Sequence, residues 1–163
     1  MNTPTNITPK YRLLFICLGN ICRSPAAEGV MKAKVHAAKL DDKFYIDSAG
    51  IGDWHVGQLP DSRMRERGAR RGYRLDSRAR QIRQSDFADF DLLLVMDREN
   101  YRIITSKAPD EESRKKVRML TDYLQEHKNT DIVPDPYYGD LSDFDYALDL
   151  IEDACDGLLE QCL

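Results

Sequence analysis

Apolar residues arrive in short unbroken runs that alternate with longer stretches spaced for a helix. "RLLFIC" (Arg12–Cys17) is a branched apolar run of strand length. "PAAEGVMKAKVHAAKL" (Pro25–Leu40) follows with good helix formers and ends before a pair of aspartates. "FYIDSAG" (Phe44–Gly50) predicts a second strand stopped by glycine, and "PDSRMRERGARRG" (Pro60–Gly72) a helix with proline near its start and glycine at its end. "DLLLVMD" (Asp91–Asp97) is continuously apolar, the pattern of a strand buried on both faces. "RENYRIITSK" (Arg98–Lys107) predicts a helix and "KVRML" (Lys116–Leu120) a short fourth strand. In the tail, Phe144, Ala147, Leu148, Ile151, Cys155, Leu158, Leu159 and Cys162 form one helical stripe, so a long amphipathic helix is expected from Ser142. Strands alternating with helices imply an α/β domain: a four-stranded parallel sheet with helices on both faces. Ligands of such sheets sit at the carboxyl ends of strands, near a reversal of strand order. Cys17 lies at one such end.

Composition narrows this without redirecting it. The chain has 163 residues, 42% hydrophobic and 32% charged, which fits one globular domain, expected over residues 11–163 after a flexible lead of residues 1–10. "MNTPTNITPKYR" lacks the basic-then-apolar grammar of a signal peptide, so the "NIT" glycosylation acceptor at Asn6 carries little weight. No apolar run approaches the roughly 20 residues of a membrane span, and no membrane role is expected. Four cysteines do not make a disulfide scaffold and fit free thiols in a reducing cytoplasm; export without a signal peptide stays open. Their spacings miss the usual zinc patterns, and His36, His55 and His127 are scattered, so neither a metal nor another cofactor is expected.

Charge is unevenly distributed. Nine arginines fall between Arg63 and Arg83, whereas Asn129 to the end holds ten Asp/Glu and no Lys or Arg. A basic stripe can bind nucleic acid, but an overall net charge of −4 argues against it. A solvated arginine-rich face, or one that attracts acidic phosphoprotein segments, is expected instead.

The chemistry concentrates in "FICLGNICRSPAAEG" (Phe15–Gly29), where two thiols and a guanidinium stand between a strand and a helix. Binding a phosphate dianion needs converging backbone N–H groups, which a helix N-terminus supplies together with its dipole. Gly19 and Asn20 tolerate left-handed backbone, and Ser24-Pro25 reads as N-cap followed by the first helical position. Arg23 can grip two oxygens with its planar fork, and a cysteine facing the same dipoles is expected as thiolate, below its free value of about 8.5. The Ser24 hydroxyl could donate to that sulfur and steady it as a leaving group.

"CLGNICRSP" (Cys17–Pro25) followed by "AAEG" resembles the phosphate loop of the low-molecular-weight protein tyrosine phosphatases. "DSAGIGDWHVG" (Asp47–Gly57), "ARQI" (Ala79–Ile82), "DLLLVMDREN" (Asp91–Asn100) and "DPYYGD" (Asp135–Asp140) follow in that family's order, so the likeness spans nearly the whole chain. The resemblance implies a four-stranded parallel sheet and hydrolysis of phosphotyrosine without metal. It makes Cys17 the nucleophile that forms a cysteinyl-phosphate. Arg23 and the backbone amides of Leu18, Gly19, Asn20, Ile21, Cys22 and Arg23 become the phosphate cradle, supported by Asn20, Ser24 and Ser48. Asp135 becomes the general acid and then base, and its protonation is expected to be favoured by the acid-rich tail around it. Trp54, Tyr137 and Tyr138 could wall a phenyl ring. Ile21, where phosphoarginine phosphatases tend to carry threonine, suits phosphotyrosine. The resemblance also implies reversible oxidation between Cys17 and Cys22, the alternative being that Cys22 only packs under the loop. One departure stands out: the family often has a histidine two residues before "ARQ", bonded to the loop asparagine, where this chain has Ser77.

Two rivals share the fold, a phosphoarginine phosphatase and a thiol-dependent arsenate reductase. The reductase needs two further cysteines six residues apart on a mobile segment; Cys155 and Cys162 have that spacing but fall on the buried stripe of the predicted tail helix. A binding module without turnover would lack the nucleophile or the acid. The expected partner is a phosphotyrosine protein, a bacterial tyrosine kinase among the candidates, and a monomer is expected.

Overall fold

Tyr11–Cys17 (β1), Phe44–Gly50 (β2), Leu92–Val95 (β3) and Val117–Met119 (β4) pair in the order β2-β1-β3-β4, all parallel, in a computed structural model that describes residues 9–163. Asn6 and most of the expected lead lie outside those residues. Period-two alternation sends the side chains of β1 into two separate cores. Leu13, Phe15 and Cys17 join one, while Leu14 and Ile16 join the other with Phe87, Phe90 and Ile104. Leu13 through Ile16 are completely buried, each such side chain contributing about 2 kcal/mol from burial alone. Both faces of the sheet are therefore covered, as the run of β3 required.

The helices are Arg23–Ala37 (α1), Ser62–Arg70 (α2), Asp86–Asp89 (α3), Arg98–Lys107 (α4), Glu111–Lys115 (α5) and Leu141–Cys162 (α6), with 3-10 turns at Asp41–Lys43 and Leu120–Tyr123. Boundaries differ from the sequence expectation for local reasons. α1 begins two residues before Pro25, with Cys22 at the N-cap and no side-chain cap bond, so Ser24 is not the cap. Asp61 caps α2 and accepts the Arg63 N–H, which leaves Pro60 just outside the helix. Asp97 leaves β3 to cap α4, accepting the Asn100 N–H. α3 and α5 have four and five residues, too short for apolar periodicity to mark them.

α6 opens with a reciprocal capping box between Asp140 and Asp143. The expected stripe is buried except for Leu159, which is half-buried; Leu150, Ala154 and Gly157 widen it. α1 and α6 pack together on one face of the sheet. β1 lies between β2 and β3, so the chain leaves it toward one neighbour and later returns to the other. The crevice above the carboxyl end of β1 is thus the switch point of the sheet. Cys17, paired in register with Gly50, stands on its edge.

Candidate active site

Residues 17–23 curl between β1 and α1 with their backbone turned inside out. The carbonyls of Cys17, Leu18 and Ile21 accept N–H groups from Ile51, Gly52 and Asp61 at 3.0, 3.0 and 2.7 Å, outside the loop. In a trans peptide the N–H opposes the C=O, so the amides of Leu18, Gly19 and Cys22 face the interior. Asn20 takes the left-handed turn, with φ of 58°. Gly19 does not share it. A Cβ there would stand 3.1 Å from the His55 ring, which would have to shift by a few tenths of an ångström.

The floor is Cys17, 3% exposed. Its sulfur lies 3.0 Å from the Ser24 hydroxyl and accepts the Ser24 N–H at 3.4 Å. Asn20 holds that hydroxyl in turn, donating through Nδ2 to Ser24 Oγ at 2.7 Å and to Ser48 Oγ at 3.0 Å. Its carbonyl oxygen accepts the Arg80 backbone N–H at 3.0 Å. The Arg80 backbone, not Ser77, therefore holds the loop asparagine. Ser48 hands its own proton to Glu28, a buried carboxylate that also pairs with Lys32 at 2.6 Å.

Arg23 is 2% exposed and stretched between two tasks. Nη1 donates to the Asp97 carboxylate at 2.7 Å and the Val133 carbonyl at 2.9 Å. Nε has no partner among the described residues although it is fully buried, and Nη2 faces Asp135 at 3.6 Å. Nε and Nη2 form one edge of the guanidinium fork, which points away from the Asp97 anchor with its Nε donor buried and unpaired and its Nη2 donor held only by the long contact to Asp135. A buried unpaired donor costs stability unless a ligand satisfies it. An oxyanion supplies two acceptors at that spacing.

Asp135 sits at the rim with its side chain 40% exposed, accepting the Tyr137 N–H at 3.1 Å. The acid-rich tail does not surround it, contrary to the expectation from sequence. Asp145 pairs with Arg67, Asp149 and Glu152 pair with Arg71, and Asp140 and Asp143 are spent on the capping box. Asp135 faces the Arg23 cation instead. The same pairs correct the reading of the arginine-rich stretch as a simple solvated face. Arg67 and Arg71 are half-buried against α6, and Arg80 holds Asp47 and the fully buried Asp86, both at 3.0 Å.

These groups open onto one cleft of about 310 Å³. Leu18, Ile21, Trp54, Tyr137 and Tyr138 line it, as does His55, which the sequence offered only as a stray histidine. Tyr137 and Tyr138 meet edge to face at 4.9 Å between centroids, and Trp54 and Tyr138 are mostly exposed at the mouth. Cys22 also lines the cleft; burial, then the neighbouring Asp61 carboxylate, pushes its thiol up and keeps it protonated. Cys155 and Cys162 are buried in α6 and do not border the cleft, which leaves them unsuited to a reductase relay. Among the described residues no cluster of three His, Cys, Asp or Glu side chains gathers. Asp97, Glu28, Arg80 and Arg63 (taken up below) went unassigned in the sequence. Only Asp97 carried a signal, its place at the carboxyl end of a strand.

Comparison with known proteins agrees on one kinship. Residues 12–163 match the family model described as low molecular weight phosphotyrosine protein phosphatase. A Synechocystis relative bearing the low molecular weight protein-tyrosine-phosphatase name is 51% identical over 91% of this chain and 94% of its own. A protein tyrosine phosphatase of Entamoeba histolytica, crystallised with Hepes in its active site, superposes with a TM-score of 0.90. It is 45% identical and covers 93% of this chain and 96% of its own. A Drosophila arginine phosphatase superposes at 0.85 with 32% identity, covering 92% and 96%.

Proposed function

The chain belongs to the low molecular weight phosphotyrosine protein phosphatase family and is a protein-tyrosine phosphatase, a hydrolase of phosphotyrosine; on that premise we propose how its residues divide the work. Cys17, at the floor of the cleft, attacks phosphorus. The Nε–Nη2 edge of Arg23 and the inward amides of residues 18–23 hold the oxygens as charge shifts onto them. Asp135, at the rim, gives its proton to the departing phenolate. Water then attacks the cysteinyl-phosphate, losing a proton to Asp135, and phosphate leaves. The Ser24 hydroxyl, held by Asn20, steadies the sulfur as it departs. The observation that carries this reading is the convergence of a buried sulfur, a guanidinium with a buried unpaired Nε and a carboxylate on one cleft.

The test is pre-steady-state release of p-nitrophenolate from p-nitrophenyl phosphate in the presence of a chelator. Wild type should give a burst of one phenolate per chain, and Cys17→Ser should give none. A burst from Cys17→Ser would remove the nucleophile assignment. Asp135→Asn should lower kcat/KM for phenyl phosphate, whose basic leaving group needs a proton, on the order of 10²–10⁴-fold; a rate unchanged from wild type would reassign the acid.

Substrate preference rests on Ile21, whose apolar side chain suits a phenyl ring, with the aromatic walls flanking a planar group. Phosphotyrosine peptides should therefore be cleaved at least ten times faster than phosphoarginine peptides, and comparable rates would overturn the preference. Cys22, protonated and beside the loop, is proposed to cap oxidised Cys17 as a disulfide; equal recovery of Cys22→Ser and wild type after peroxide and thiol would remove that role. The enzyme is further proposed to act as a cytoplasmic monomer on phosphotyrosine proteins. A tyrosine kinase is the first candidate to seek by trapping with Asp135→Ala.

A further inference from the structure

The segment carrying Asp135 has no regular secondary structure, yet it is pinned at three points. Upstream, Val133 donates its N–H to the Met96 carbonyl at 2.8 Å and accepts from Arg23. Downstream, Asp140 and Asp143 lock the chain into α6. Between these pins Pro136–Gly139 closes a turn of its own, from the Gly139 N–H to the Pro136 carbonyl at 2.8 Å. That turn needs an external hold, and Arg63 at the start of α2 provides it. Its Nη2 donates to the Tyr137 carbonyl at 3.1 Å, and its guanidinium carbon lies 5.5 Å from the Tyr137 ring centroid and 4.6 Å from that of Phe144. Asp61 fixes the guanidinium from the other side with two bonds, 3.0 Å to Nε and 2.9 Å to Nη2. The Asp61 N–H, in turn, binds the Ile21 carbonyl of the phosphate loop at 2.7 Å.

A continuous strut thus runs from the phosphate loop through Asp61 and Arg63 to the turn that follows Asp135. We propose that Arg63 is a positioning residue for the general acid: it sets the reach of Asp135 toward the leaving oxygen by tying the Tyr137 turn to the phosphate loop. This deepens the reading above and rests on Asp135 being the acid. Arg63 does not line the cleft and touches neither the sulfur nor the dianion site, so its effect must pass through Asp135. Lysine is a poor replacement, because a point charge cannot pair twice with Asp61 while lying flat on two rings.

Leaving-group dependence separates this role from general support of the fold. A phenolate of high basicity needs the acid to depart, whereas p-nitrophenolate departs with little help. General acids contribute on the order of 10²–10⁴-fold, and displacing one by a fraction of an ångström loses part of that. Arg63→Met and Arg63→Lys should lower kcat/KM for phenyl phosphate by roughly 10-fold or more, yet lower it for p-nitrophenyl phosphate by less than about 3-fold. Combining either with Asp135→Ala should add less than about 2-fold to the Asp135→Ala loss, because two residues acting as one unit are not additive. Equal losses on both substrates overturn the proposal, as do losses that multiply in the double variant. If Arg63→Met does not fold, Arg63→Lys carries the same comparison. An Asp135→Ala protein with no leaving-group dependence overturns the acid assignment and the strut with it. Asp135→Ala showing that dependence while both Arg63 variants lack it overturns the strut alone.

Discussion

Arg23 illustrates how one side chain meets incompatible demands by geometry. Its two sides face different partners: Nη1 is bound to Asp97 and Val133, and the Nε–Nη2 edge remains for the dianion. The anchor on Asp97 keeps the buried cation neutralised while the site is empty, and the Nε donor is already desolvated when substrate arrives. Lysine has three donors on a single atom and cannot span both sides. Arg23→Lys is therefore expected to reduce kcat/KM for p-nitrophenyl phosphate by about 10²–10³-fold, the scale of one lost oxyanion donor, with little change in melting temperature. A loss below about 5-fold would show that the fork geometry is not what the site uses. Asn20 is similar in kind. Its left-handed backbone places one amide to hold Ser24 and Ser48 while accepting from Arg80, and no other loop side chain is an amide with two N–H donors and a carbonyl acceptor.

Among the elements, α6 holds the segment after β4 through two contacts that its apolar stripe does not announce. Gly157 faces the Tyr123 carbonyl so closely that a Cβ would lie 1.9 Å from its oxygen. Gly157→Ala must push backbone apart and is expected to cost about 2 kcal/mol, a fall in melting temperature of about 4–8 °C. One turn earlier the buried Asp153 carboxylate collects the backbone N–H groups of Gln125, Glu126 and His127 and the His127 ring, all within 3.1 Å. Burial pushes this carboxyl up, but the His127, Glu126 and Gln125 bonds outweigh it and hold it below the ordinary value. Its stabilising contribution is therefore present above the unfolded value of about 3.9 and fades as pH falls through the lower folded value. Asp153→Asn is expected to remove about 1–3 kcal/mol at neutral pH and to flatten the acid side of a stability profile measured by urea unfolding. An acid limb as steep as wild type would place that pH dependence on other groups.

At the scale of the whole molecule, the lopsided charge of the sequence closes on itself. Arginines of α2 and the turn after it meet acids of α6: Arg67 with Asp145, Arg71 with Asp149 and Glu152, while Tyr73 donates to Glu152 at 2.5 Å. Part of the basic segment and part of the acidic segment thus form one interface between α2 with the turn after it and α6. Arg71→Ala removes the centre of this network. Since its members are partly exposed, solvent screening limits the expected loss to about 1 kcal/mol, and the variant should be less sensitive to added salt than wild type in thermal melts. The paired arginines are also unavailable to polyphosphates, so binding to DNA in a filter assay at 0.15 M salt should be absent. Salt-sensitive retention would show that the basic stretch remains free.

The sequence alone determined the alternation of strands and helices that makes a four-stranded parallel sheet, and the loop that puts Cys17 and Arg23 at the carboxyl end of its first strand. The loop is local, since strand end, loop chemistry and helix start lie between Phe15 and Gly29 and each constrains the next; the strand order β2-β1-β3-β4, which makes that end the switch point, was decided by packing. Ser24 was misplaced as a cap because serine satisfies two local roles equally well, and only the sulfur 3.0 Å away decides between them. Tertiary structure alone decided the rest. It gave the loop asparagine the Arg80 backbone where a histidine was missed, bound Arg23 to Asp97, turned the tail's acids toward α2 instead of Asp135, and set Arg63 against Tyr137. Each of those contacts joins residues at least sixty positions apart. A polar side chain carries no mark of its partner, so such pairings exist only once packing of the apolar faces has fixed which loops meet.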